Sequence, residues 1–325
     1  MKRLIAEFEE QSFTQIVFPH KNSDWVEYLD EAIENFVEII KAVIRFQKCV
    51  VIVDDIARVK KYFENDKNLV FVEYETDDTW ARDISALSVE DNNVKKLLNF
   101  HFNAWGGKFE YEKDDAMSRT ICDVYDYEMI DVDFILEGGG VESNGVDAIL
   151  TTTNSMLNKN RNKDLTKDEV TTILEECFGA KDIFYLNYGY LSGDDTDSHI
   201  DTLARFISED KIIYVSCEDK NDEHYEELLL MKKELEKIAS YKNYKLIPLP
   251  MPDAIYFDGE RLPATYANFL FVNGAVLVPT YGVNQDIEAI EIFKDMFKDR
   301  EIVSIDCSTL IKQHGSLHCV TMNFA

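Results

Sequence analysis

The sequence has no Cys-x-x-Cys pair and no Cys/His cluster with metal-ligand spacing, which argues against a structural zinc site and a dithiol redox centre. No apolar run approaches the length of a membrane span. The opening Met1–Glu10 turns acidic before an apolar leader core can form, so no secretory leader is expected. Basic residues are outnumbered, 34 against 62 acidic, for a formal charge of −28. That balance argues against nucleic acid and against an anionic membrane surface, and favours small cations. No Pro/Ser/Gly-rich linker or low-complexity run divides the chain, so residues 1–325 are read as one domain. The chain is read as cytoplasmic, with Cys49, Cys122, Cys177, Cys217 and Cys307 as core-filling free thiols.

What is present is a weakly repeating plan. Phe269–Val272, Asn273-Gly274 and Ala275–Val278 read as a tight hairpin, because Asn-Gly accepts the positive φ angles of a type I′ turn. The plan recurs at Gly140–Ser143 with Asn144-Gly145 and Val146–Leu150, at Leu203–Ile207 with Ile212–Val215, and at Ile84–Val89 with Val94–Phe100. Leu317–Phe324 would be a fifth strand, with its partner in Phe13–Phe18. Amphipathic helices are predicted over 24–46, 222–240 and 285–299. Another follows the capping-box spacing Thr166-x-x-Glu169 and ends at Gly179. These units imply an α/β ring of five hairpin-plus-helix repeats, with first and last strands paired so that no sheet edge is exposed.

A candidate chemical segment precedes four of the hairpins. Cys319 is a nucleophile if it becomes a thiolate, which needs a nearby cation from the protein or from a guanidinium substrate; a buried cysteine is otherwise a small hydrophobe. His318, its neighbour on a predicted strand, should point to the opposite face. His199 and Asp201 lie two apart, and on a strand both project to one face, as general acid/base and carboxylate. A metal held by His199, Asp201, Glu137 and Asp83 is the competing reading, and a hydrogen-bonded structural histidine the plainest one. Asp83, after Trp80 and Arg82, offers guanidinium a planar two-pronged acceptor, or else forms a surface pair with Arg82. Glu137 precedes three glycines that permit close ligand approach; without a following lysine they do not read as a phosphate loop.

Taken together, these segments resemble the guanidine-modifying superfamily with the five-bladed α/β-propeller (pentein) fold, in the group of agmatine and bacterial peptidylarginine deiminases. The resemblance rests on Trp80-Ala81-Arg82-Asp83, Phe102–Lys108, Glu137-Gly138-Gly139, Thr196–Asp201, Tyr266–Phe269 and Leu317–Thr321, and covers nearly the whole chain. His314-Gly315-Ser316, Gly140–Ser143 and Met322-Asn323-Phe324 depart from the usual pattern. The resemblance implies hydrolysis of agmatine without metal or other cofactor. Cys319 would attack the guanidinium carbon, Asp83 and Asp201 would grip its nitrogens, His199 would move protons, and Glu137 would hold both in place. Trp80 would contact substrate, and Asp194 and Asp195 are candidates for its distal ammonium. The alternative within enzymes is a deiminase for peptidyl or free arginine; free arginine would need a cationic clamp, for which only Arg82 and Arg205 are near the motifs. A non-catalytic binding module is the reading from outside enzymology. A homodimer is the commonest oligomer and is expected on that ground alone.

Overall fold

A computed structural model describes residues 2–325. Five sheets share one plan, in which an antiparallel pair is extended by a parallel third strand. They contain Phe13–Val17, Lys48–Val53 and Leu69–Glu73 with Thr321–Phe324; Leu87–Asp91, Val94–His101 and Glu128–Ile135 with Arg3–Leu4; Glu142–Ser143, Ala148–Thr152 and Asp182–Leu186; Ala204–Ser208, Lys211–Ser216 and Lys245–Pro250; and Leu270–Val272, Ala275–Thr280 and Glu301–Asp306. A parallel neighbour cannot be reached by a tight turn, and helices make the crossovers: Leu29–Ile44, Glu112–Thr120, Lys167–Phe178, Tyr225–Lys242 and Gln285–Met296. A small extra hairpin pairs Tyr256–Phe257 with Glu260–Arg261.

The inner strands Phe13–Val17 and Ala275–Thr280 are mostly apolar and almost wholly buried, whereas the third strands are only partly covered. The last strand lies antiparallel to Phe13–Val17, pairing Phe324 with Phe13, as the sequence suggested. The helix Lys167–Phe178 carries the expected capping box and a left-handed Gly179. No helix among the described residues is long and apolar enough to cross a membrane.

Several boundaries differ from expectation. Residues 24–28 form a 3₁₀ turn before the helix Leu29–Ile44. Ile84 ends a short helix, and its strand starts only at Leu87. The connection at Asn144-Gly145 is wider than a two-residue turn, because the Asn144 carboxamide oxygen accepts the N–H groups of Val146, Asp147 and Ala148. Most consequentially, none of the candidate site residues lies on a strand.

Candidate active site

Each chemical segment occupies the turn that leads into a sheet's first strand. Asp83 lies in the helical turn Ala81–Ile84, and Glu137 precedes the 3₁₀ turn Gly138–Gly140. His199 begins the 3₁₀ turn Ile200–Thr202 that contains Asp201. Cys319 lies in a turn before Thr321–Phe324. The same-face argument for His199 and Asp201 therefore fails in its premise, since a turn lacks the two-residue period of a strand. The two side chains converge nonetheless. The fifth sheet contributes through Asn268, just before Leu270–Val272, a residue within a recognised motif to which sequence reasoning gave no role.

All five proposed catalytic side chains meet, each no more than 7% exposed. Cys319 Sγ is 3.4 Å from Asn268 Oδ1 and 4.0 Å from Asp201 Oδ2. His199 Nδ1 is 3.7 Å from Asp83 Oδ2, and its Nε2 is 3.6 Å from Glu137 Oε2. Asp83 is held from two sides, its Oδ1 accepting the Gly139 N–H and its Oδ2 the indole of Trp105, both at 2.9 Å. Trp105 reaches it from a turn in which Ala104–Gly107 all have positive φ. Glu137 takes both oxygens to Arg161 Nε at 2.7 and 2.9 Å, and Arg161 also bonds Asp197 and the Thr196 carbonyl. Arg161 escaped the sequence reading, because it lies in a loop with no local motif. Gly139 is required sterically: a Cβ there would stand 2.7 Å from His199 Nδ1 and 2.9 Å from Asp83 Oδ1.

His318 does not behave as a strand neighbour of Cys319. Its Nδ1 is 2.6 Å from Asp201 Oδ2, so it belongs to the same cluster, behind the carboxylate. Arg82 does not pair with Asp83; it bonds Glu7 and Asn323. The two departures in the tail thus separate. Asn323 is structural, whereas His314 and Gly315 face the cavity, and a Cβ at Gly315 would collide with the Trp80 ring. The Glu142 departure is an ion-pair partner of Arg205.

A cavity of about 180 Å³ opens onto Cys319 and Asp83 at its inner end. Trp80, Trp105 and Phe109 line it, and three carboxylates, Asp24, Asp78 and Asp195, stand along it. Asp195, one of the two candidates for the distal ammonium, is among the lining residues. Asp194 is not among the lining residues: its carboxylate accepts the N–H groups of Thr196 and Ser198, bracing the left-handed Asp197-Ser198 pair ahead of His199. Asp24 and Asp78 were not anticipated. The Trp80 indole donates to Asp78 Oδ2 at 2.8 Å, while Oδ1 is buried without a partner.

The electrostatics follow from burial among acids. Burial disfavours a charged His199, yet Asp83, Glu137 and Asp201 outweigh it and push its pKa up to about 9. Burial and then Asp201 and Asp83 drive the Cys319 thiol well above its usual range. Burial likewise pushes Asp83 up. For Asp201 the burial effect is overcome by the His318 hydrogen bond and charge, leaving its pKa low. Burial raises Asp78 to about 7 and Asp195 to about 6, each helped by a neighbouring aspartate. Among the described residues, the group with three potential ligand atoms within 4.8 Å of one another is Glu7, Glu142 and His318, not the set weighed as a metal site from the sequence. There Arg82 and Arg205 already supply positive charge.

Residues 3–324 match the family model of Porphyromonas-type peptidyl-arginine deiminases. The chain belongs to that family. A cysteine-to-serine variant of the C. jejuni agmatine deiminase, solved with substrate bound, is 40% identical, with TM-score 0.96 over 100% of this chain and 96% of that one. The agmatine deiminase of Stutzerimonas stutzeri is 29% identical over 97% of this chain and 93% of its own. An amidinotransferase from Microseira wollei, 11% identical with TM-score 0.58 over 99% of this chain and 96% of that one, shares the fold alone.

Proposed function

We propose that this chain hydrolyses agmatine to N-carbamoylputrescine and ammonia through a covalent intermediate on Cys319. The observation that carries the reading is the meeting of one thiol, one imidazole and three carboxylates at the inner end of a cavity with further acids along it. Such a cavity suits a dication. Asp83 and Asp201 would take the guanidinium nitrogens, with the unpartnered Oδ1 of Asp201 as an open acceptor. Trp80, Trp105 and Phe109 would pack the methylenes, and Asp24, Asp78 and Asp195 would face the distal ammonium. Free arginine fits less well: no lysine or arginine is among the residues lining the cavity, and Arg82 and Arg205 are committed to Glu7, Glu142 and Asn323.

The chemistry follows from the charges. In the free site the thiol keeps its hydrogen, because burial and two carboxylates oppose a thiolate. An entering guanidinium reverses that balance and lets the thiol ionise, its proton passing to solvent as the substrate binds. The sulfur attacks the guanidinium carbon, and His199, charged at neutral pH, protonates the departing nitrogen, which leaves as ammonia. Water then adds to the carbon of the thiouronium and gives one proton to His199; the C–S bond breaks, its electron pair going to sulfur, which takes the second proton to restore the Cys319 thiol as N-carbamoylputrescine is released. Glu137, fixed by Arg161, orients His199 and the substrate.

The five like sheets, with their site segments in equivalent turns and the chain's ends paired, support a single domain built as a five-bladed α/β propeller. A cytoplasmic location fits six cysteines that are all free thiols.

The test is ammonia release from agmatine, arginine and a C-terminal arginine peptide offered in parallel. Release from agmatine alone is expected. Cys319→Ser is expected to abolish turnover while still binding agmatine by calorimetry, and full activity in that variant would refute the mechanism.

A further inference from the structure

We propose that His318 is a positioning residue for the deiminase reaction: clamped between Glu7 and Asp201, it fixes one oxygen of Asp201 so that the other faces the guanidinium. The inference rests on the deiminase reading above and adds to it a residue that no cavity-lining argument would select.

The geometry is two-sided. His318 Nδ1 lies 2.6 Å from Asp201 Oδ2, and Nε2 lies 2.8 and 2.9 Å from the two Glu7 oxygens. His318 and Asp201 are each 1% exposed, so no water screens the contact. An ionised carboxylate only accepts, so both contacts are hydrogen bonds only when each ring nitrogen carries a hydrogen. The ring then bridges two anions as a cation. On Asp201, Oδ2 is fully engaged, by His318, by Asn268 Nδ2 at 3.2 Å and by the Cys319 thiol at 4.0 Å. Oδ1 has no partner, although it is buried. Pinning Oδ2 fixes the plane of the carboxylate and with it the direction of Oδ1.

Glu7 is itself held by several partners. It meets Arg82, adjacent to Asp83, and Arg205 Nη2 at 2.5 Å, four residues after Asp201. With His318 adjacent to Cys319, one carboxylate near the start of the chain collects a side chain from each of three catalytic segments. The cluster is charge-balanced, with Glu7, Glu142 and Asp201 set against Arg82, Arg205 and His318. Such balance is what lets buried charges persist. The other groups acting on Asp201 are His199 and Arg205, both favouring its anion; burial opposes it, and His318 provides the closest compensation.

Removing the imidazole while keeping its size class should therefore do more than loosen the fold. In His318→Asn, kcat/KM for agmatine is expected to fall about tenfold to a hundredfold, by analogy with the loss of a hydrogen-bonding partner behind a metal ligand. The acid limb of its pH profile should move to higher pH, because Asp201 becomes harder to ionise. Glu7→Gln should shift the limb the same way by less. A lowered rate with an unmoved acid limb would reduce His318 to a structural role and overturn the proposal. Should the variants fail to fold, nitrogen-15 imidazole spectra of the wild-type protein decide: hydrogens on both His318 nitrogens, as the two carboxylate contacts require, support it, and a single tautomer with one bare nitrogen overturns it. A wild type inactive on agmatine would remove the deiminase reading and leave this spectroscopic result to stand or fall by itself.

Discussion

At the scale of residues, the site is a set of acids paired against too few cations, and His199 carries the clearest consequence. Its pKa rises from 6.5 unfolded to about 9 folded, so its charged form adds stability that is complete below about pH 6.5. That contribution disappears as pH rises through about 9. The gap in melting temperature between wild type and His199→Gln should therefore close between pH 6 and 9.5. Over the same interval kcat/KM should fall as the general acid is lost. A gap independent of pH would mean that the folded site leaves His199 with the same pKa as the unfolded chain. Cys319 lies at the opposite extreme, since the free site suppresses its thiolate and only a cationic ligand relieves the suppression. The identities of both residues were legible in the sequence. Arg161, which holds Glu137 from 24 residues away, and Asn268, which meets Cys319 from 51 residues away, were not, because neither acts through a local pattern.

At the scale of elements, the decisive pieces are short turns rather than strands or long helices. Gly138–Gly140 is a 3₁₀ turn whose middle residue delivers an N–H to Asp83 and leaves no room beside His199. Gly139→Ala would press a methyl into His199, Asp83 and Asp201, each within 3.1 Å of the new carbon. Displacements near 1 Å cost about a hundredfold in rate, so kcat/KM should fall by about that factor while agmatine binding weakens less. Undiminished turnover would show that the catalytic groups lie further apart than described here. The long helices and hairpins were read well, because hydrophobic periodicity and capping residues are local signals. The turns were misread as strand starts. Their backbone is set by contacts such as the Arg82 N–H to the Cys319 carbonyl, 3.1 Å apart, which have no local pattern.

At the scale of the whole molecule, a charge of −28 surrounds a cavity lined by acids, a combination that steers cations inward. Salt screens that field, with a Debye length of about 10 Å at 0.1 M and about 3 Å at 1 M. Raising salt from 0.05 to 0.5 M should lower kcat/KM for agmatine severalfold with kcat little changed. An equal loss in kcat would place the salt effect in the chemistry instead of in capture. The same acidity demands internal compensation, and the buried Arg82, Arg161 and Arg205 provide it.

The sequence by itself determined the reactive groups, the order of helices and hairpins, and the pairing of the terminal strand with Phe13–Val17. These depend on residue chemistry and on periods of two and 3.6 that neighbours enforce. Only the tertiary structure decided that Asp195 and not Asp194 lines the cavity, that Asp24 and Asp78 join it, and that His318 backs Asp201 instead of turning away. Those outcomes depend on which turns of different sheets come within hydrogen-bonding reach. A sum of distant contacts fixes that, and no segment carries it alone.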